Sequence, residues 1–114
     1  MKIQHLAPGL SVSEQIQPMQ MAALKEAGFR TVICNRPDGE SIDQPPFAEI
    51  ERAARALGID AHYLPAEPGK VTDEQGIAFG QLLAQLATPV LAYCRTGTRS
   101  SIMWALSQSV HQRV

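Results

Sequence analysis

Short apolar, β-branched runs alternate with helix-patterned runs along this chain, and that alternation restricts the fold more than any other feature. Thr31-Val32-Ile33-Cys34 has the composition of a buried strand. Ala61 to Leu64 reads as a second buried strand closed by Pro65, and Pro89-Val90-Leu91-Ala92-Tyr93 as another that runs directly into Cys94. Leu6 to Val12 reads as an opening strand or turn around Pro8-Gly9. Helices are predicted between them. Pro18 suits a first helical position, Met19, Ala22, Ala23 and Leu24 supply an apolar face with Met21 flanking it, and Gly28 ends the segment. A second helix runs from about Pro46 to Leu57, with Phe47, Ile50, Ala53, Ala54 and Leu57 on one face and Gly58 as its stop. Thr72 and Gln75 form a capping-box pattern that opens a third, through to about Leu86. The last begins near Arg99 or Ser100 and carries Ile102, Met103, Ala105, Leu106 and Val110. Strand and helix in turn predict right-handed crossovers and a mostly parallel sheet flanked by helices, an α/β fold in three layers. At 114 residues the chain holds one domain, 1–114.

Composition removes several function classes. Hydrophobic residues make up 45% and charged residues 18%, which excludes wholesale disorder. A net charge of -1 leaves no general positive field for nucleic acid or an anionic membrane, although a local cluster could hold a small anion. No apolar run approaches the ~20 residues of a membrane span. Met1-Lys2-Ile3-Gln4-His5 lacks the apolar stretch of a secretion signal, so a cytoplasmic location is expected. Cys34 and Cys94 match no zinc spacing, and His5, His62 and His111 have neither mutual spacing nor carboxylate partners for a metal. No metal or cofactor is expected, and both cysteines should be free thiols. Cys34 reads as a core thiol, the alternative being a resolving partner for an oxidised Cys94. Trp104 reads as core or as a cover over the loop that follows Cys94.

That loop carries the chemistry. Ligands of open α/β sheets sit at the carboxyl ends of the strands. Cys94 lies at such an end and is followed by Arg95, Thr96, Gly97, Thr98, Arg99 and Ser100 before a helix. Backbone N–H groups of such a loop point inward and the helix start adds partial positive charge. Gly97 permits a tight turn, and Arg99 supplies a planar charged fork for a tetrahedral oxyanion. The same features favour the thiolate, the form in which cysteine is a nucleophile. Cys94 and Arg99 are therefore the candidate catalytic residues, with Arg95, Thr96, Gly97, Thr98 and Ser100 as substrate-binding candidates. Arg36 and Asp38 follow a strand expected beside that of Cys94. They read equally as loop support or as solvated charges of a Pro-Asp-Gly turn.

The segment Tyr93 to Ser100 resembles the active-site loop of rhodanese-type sulfurtransferases and, more loosely, that of cysteine-dependent phosphatases. Asn35-Arg36-Pro37-Asp38-Gly39-Glu40, together with Ala92 to Ser101, resembles the bacterial beta-lactamase-hydrolase-like, phosphatase-like domain. That family has been called both a phosphatase and a sulfur transferase, and in some proteins it is fused to a metallo-beta-lactamase-type sulfur dioxygenase. The resemblance covers nearly the whole chain and implies a fold like the dual-specificity phosphatases. Members usually continue with another helical segment, so the resemblance implies a chain that stops short at Val114.

Loop length separates two reactions. The phosphatase signature has five residues between Cys and Arg, which would put the Arg at position 100, occupied by Ser100. Arg99 leaves four, the shorter rhodanese-like spacing, and a tighter cradle suits a persulfide better than a phosphoryl group. Phosphatases also need a general acid, usually an Asp on a nearby loop. The corresponding stretch, Leu64 to Lys70, offers Glu67, with Asp73 at the start of the next helix. Either is a candidate general acid or loop support, and for Glu67 a solvated loop carboxylate is an equal reading. The expectation is transfer of a sulfane sulfur from a thiosulfate- or persulfide-type donor through a Cys94 persulfide. The alternatives are phosphomonoester hydrolysis through a phosphocysteine and a non-catalytic anion-binding or partner domain.

Overall fold

The computed structural model describes residues 1–112, with side chains described through residue 109. Val110 and His111, named above, lie outside the described side chains. Five strands, β1 (Ile3–Ala7), β2 (Leu10–Ser13), β3 (Thr31–Cys34), β4 (Asp60–Tyr63) and β5 (Val90–Tyr93), form one sheet in the order β1-β2-β5-β3-β4. All neighbours are parallel except β1, which returns on β2 as an antiparallel hairpin through Pro8 and Gly9. The helices are α1 (Met21–Glu26), α2 (Phe47–Ala56), α3 (Asp73–Leu83) and α4 (Thr98–Gln112). Among the described residues no helix is long and apolar enough to cross a membrane.

Alternation along the central strands explains the three layers, because successive side chains leave a strand on opposite faces. Val32 and Cys34 of β3 and Leu91 and Tyr93 of β5 join Met21, Leu24, Ile50 and Ala54 in the layer covered by α1 and α2. Ile33, Val90 and Ala92 face the other way, against Phe79 of α3 and Met103 of α4. Full burial of side chains such as Phe79, Ile50 and Leu91 contributes about 1.5–3 kcal/mol each. On the second face the helices approach closely. A Cβ at Gly76 would stand 2.6 Å from that of Leu106, so only glycine allows α3 to lie this near α4.

Several elements depart from the sequence expectation. The strand expected to be buried from Ala61 is the sheet edge: Ala61 is buried, whereas Asp60 and Tyr63 are exposed. With a neighbour on one side only, β4 tolerates the polar side chains that a central strand would exclude. Pro18 opens a 3-10 turn, Pro18–Gln20, before α1. That turn shifts the helical phase, so Met21 and Leu24 are buried while Met19 is 87% exposed and Ala22 and Ala23 face solvent. Thr72 and Gln75 cap α3 reciprocally, with bonds of 2.8 and 3.2 Å. α4 starts at Thr98, one residue before Arg99. Trp104 is half-buried and faces Pro8, Gly9 and Thr88 at the far end of the sheet, so it does not cover the Cys94 loop.

Candidate active site

Register places the chemistry. Ser13, Tyr93 and Cys34 are laterally paired at the ends of β2, β5 and β3, so the loops beginning at Glu14, Cys94 and Asn35 emerge side by side. The Cys94 loop is anchored on the end of β2 and the loop after it: Cys94 N–H donates to Ser13 O at 3.4 Å, and Gln15 N–H to Arg95 O at 3.2 Å. Gly97 then turns back at φ +96°, a left-handed conformation that side chains disfavour. This turn aims its N–H at the Cys94 sulfur, 3.0 Å away. The Thr96 hydroxyl donates to that of Thr98 at 3.1 Å, holding the outer rim. The fifteen-residue α4 starts immediately behind, with its positive end toward the loop.

Arg99 is 6% exposed, and its guanidinium is held rather than free. Nη1 donates to Glu40 Oε2 at 2.6 Å and to Ala66 O at 2.9 Å, and Nη2 donates to Glu40 Oε1 at 2.8 Å. A guanidinium has five N–H donors, so these three bonds leave two, and Cys94 also interacts with Arg99. Hydrogen bonding to Glu40 pushes the Arg99 pKa up, with Cys94 acting in the same direction, so the arginine stays charged. The Arg99 bonds, followed by those of Arg36, hold the Glu40 carboxyl below its ordinary range. The sequence reading placed Glu40 in the Asn35–Glu40 motif and its polar turn, with no role of its own. Its signal was present in Arg36 and Glu40, four apart and of opposite charge, but the partner that matters lies in another loop.

The remaining candidates divide. Arg36 is 4% exposed and is not a solvated charge: Nε donates to Glu40 Oε1 at 3.0 Å, Nη1 to Gln15 Oε1 at 3.0 Å and Nη2 to Ser41 Oγ at 3.2 Å. Asp38 Oδ1 accepts the Phe47 N–H at 2.8 Å, satisfying a free donor at the start of α2. Ser100 is fully buried and donates to Asn35 Oδ1 at 2.8 Å, so it secures the loop instead of facing substrate. Asp38, Glu67, Arg95 and Arg99 line a cleft of roughly 450 Å³. Glu67 stands there exposed, paired loosely with Lys70 at 3.9 Å. Asp73 sits in the first turn of α3, outside the residues that line this cleft. A larger groove of roughly 850 Å³ between β1 and α4 touches the outer rim at Thr96 and Thr98 but lacks Arg99, and the buried Cys94 lines neither opening. The smaller cleft has the guanidinium and is the better site for an anion. Cys34 belongs to the core layer under α1 and α2, where burial pushes its thiol up to about 11.

Residues 2–111 match the profile of the family described as "Beta-lactamase hydrolase-like protein, phosphatase-like domain". The chain belongs to that family. It is 31% identical over 114 residues to a beta-lactamase hydrolase-like protein of Agrobacterium fabrum, and equally so to one of Xylella fastidiosa. It spans about a quarter of the length of these curated relatives, 26% of each. Among solved structures, a Neisseria meningitidis protein provisionally described as a phosphatase is 36% identical with a TM-score of 0.90, over 97% of this chain and 79% of that one. P. aeruginosa TpbA, crystallised with phosphotyrosine, is 21% identical with a TM-score of 0.69, over 96% of this chain and 64% of that one. This last likeness is one of fold, and it agrees with the phosphatase-like α/β architecture expected from the sequence.

Proposed function

We propose that this phosphatase-like domain hydrolyses phosphate monoesters with Cys94 as nucleophile. The observation that carries the reading is the pairing of the Cys94 sulfur, 3.0 Å from the Gly97 N–H, with an Arg99 fork that is oriented by Glu40 and Ala66 and also interacts with Cys94. The Cys94 thiolate attacks phosphorus, an S–P bond forms and the P–O bond to the leaving group breaks. Glu67, the exposed carboxyl in the cleft, gives its proton to the departing oxygen. Water then attacks phosphorus, Glu67 takes a proton back, the S–P bond breaks, and phosphate leaves with the thiolate regenerated. Loop N–H groups and Arg99 stabilise the equatorial oxygens through both steps. The family description and the 36%-identical Neisseria protein support this choice over the sulfur transfer expected from loop length.

Sulfur transfer stays as a second reading on one observation, the four residues between Cys94 and Arg99. Partnership with a metallo-beta-lactamase-type dioxygenase belongs to that reading, since a transferred persulfide would be its substrate. A side-by-side assay separates the two. Purified protein is given p-nitrophenyl phosphate, or thiosulfate or glutathione persulfide with cyanide as acceptor. The expected result is phosphate release that disappears in Cys94→Ser and falls in Glu67→Gln. A Cys94 persulfide in the intact mass spectrum, with no release of phosphate, would overturn the hydrolase reading.

A further inference from the structure

Glu40 faces the anion site with a negative charge, which is a puzzle for any loop built to hold an oxyanion. Its carboxylate lies against Arg99, and Arg99 is the group that must attract the substrate. Taken alone, the Glu40–Arg99 pair is neutral. A dianion arriving at Arg99 would meet the repulsion of Glu40 at nearly the same range. The third member of the cluster removes the difficulty. Arg36 donates to the same Glu40 oxygen, Oε1, that accepts from Arg99 Nη2, at 3.0 and 2.8 Å. The hydrogen-bonded trio of Arg36, Glu40 and Arg99 therefore sums to one net positive charge, with its uncommitted donors on Arg99.

We propose that Arg36 is a positioning residue that acts by charge balance: it neutralises Glu40, so that Glu40 can orient Arg99 without cancelling its attraction for the bound anion. Arg36 does not line the cleft and is 4% exposed, so it acts through Glu40 rather than on substrate. Gln15 and Ser41 hold its two Nη atoms, directing Nε at the carboxylate. Both direct partners are neutral oxygens; the Asp43 carboxylate stands one bond further out, accepting from Ser41 Oγ at 2.9 Å. Both arginines are buried, at 4% and 6% exposed, while Glu40 sits at the cleft wall between them. The inference rests on the anion-binding part of the function proposed above, and it needs no turnover to be tested.

The measurement is inorganic phosphate binding by titration calorimetry, with thermal melts to establish that each variant is folded. Arg36→Met makes the cluster neutral and should weaken phosphate binding about tenfold or more, because the uncompensated carboxylate repels the ligand. Arg36→Lys keeps the charge while losing the fork, and should stay within about threefold of the native affinity. The double variant Arg36→Met/Glu40→Gln returns the net charge to that of Arg99 alone and should regain most of the loss. A bracing role alone would make Lys as damaging as Met and the double variant worse than the single. Either result overturns the proposal, as does unchanged affinity in Arg36→Met. Graded phosphate binding of the expected pattern in a protein that hydrolyses no aryl phosphate would support the charge balance and remove the hydrolase reading.

Discussion

Ser100 donates its hydroxyl to Asn35 Oδ1 at 2.8 Å, and that bond ties the first turn of α4 to the end of β3. Asn35 continues outward from there. Its Nδ2 donates to Leu64 O at 2.8 Å, its N–H to Tyr93 O at 2.8 Å, and its own carbonyl accepts from Ala66 N–H at 3.0 Å. One fully buried asparagine thus links the three loops that surround Cys94. Asn35→Ala should cost about 2–3 kcal/mol of stability, since it leaves the Ser100 hydroxyl and Leu64 carbonyl without their partner. Ser100→Ala should cost about 1 kcal/mol, because only the bond to Asn35 is lost. Urea unfolding of both variants and their double checks this, and strictly additive costs would show that the two residues do not act as a unit.

The two thiols should differ in reactivity with iodoacetamide. Cys34 is buried among Met21, Leu24 and Tyr93, and burial raises its pKa to about 11, so it stays protonated near neutral pH. Cys94 is also buried, at 1% exposed, but it opens the loop whose Arg95 and Arg99 line the cleft, and an N–H is aimed at its sulfur. Peptide mass spectrometry at about pH 7 should find label on Cys94 first, and on Cys34 only after denaturant is added. Equal labelling of the folded protein would contradict the placement of Cys34.

Glu40 predicts a pH dependence of stability with a definite sign. Hydrogen bonds from Arg99 favour the charged carboxylate, so its folded pKa lies below the ordinary 4.5. The unfolded chain then binds the proton more readily. The stabilisation is complete above the ordinary value and is lost as pH falls through the lower, folded one. Native protein and Glu40→Gln should differ most near neutral pH and converge in acid. Urea titrations from about pH 3 to about pH 7 test this, and a constant difference across the range would dissociate Glu40 from the acid response.

Packing of α3 on α4 gives a prediction on the opposite side of the sheet. Gly76→Ala should destabilise by about 1–3 kcal/mol, since its methyl group would overlap Leu106 and crowd the α4 backbone. At Gly80 the nearest atom to an added Cβ is Ser107 Cβ at 3.2 Å, which can give slightly. There the gain in helix propensity, up to ~1 kcal/mol, offsets most of the strain. Thermal melts should rank Gly76→Ala well below Gly80→Ala.

What the sequence made legible was local. The Thr72–Gln75 cap spans three residues, and the order of strand, Cys94 loop and helix is continuous in the chain, so pattern alone found both. Glu40 and Asn35 escaped because their partners, Arg99 and Ser100, stand 59 and 65 positions away. A polar turn and a strand-end asparagine look ordinary until the parallel register brings β3 beside β5. Ser100 was misread for the same reason: its place in the loop suggested substrate, whereas the neighbouring strand end claims its hydroxyl. Met19 and Met21 exchanged roles because a single 3-10 turn rotates all that follows it, and no composition rule counts that rotation. Loop length, read as a preference for sulfur, is outweighed by the phosphatase-like family description and the 36%-identical Neisseria protein.

The Cys94 loop hangs at two points, Cys94 on Ser13 at the end of β2 and Arg95 on Gln15 just beyond it, both before the turn at Gly97. A loop so fastened has lost its configurational freedom before any ligand arrives, and its ordering belongs to the folding equilibrium of the whole sheet. Association then involves the desolvation of the anion and its loss of translation, with little further entropy from the chain. The sheet beneath, and not the guest, sets where the loop's N–H groups stand.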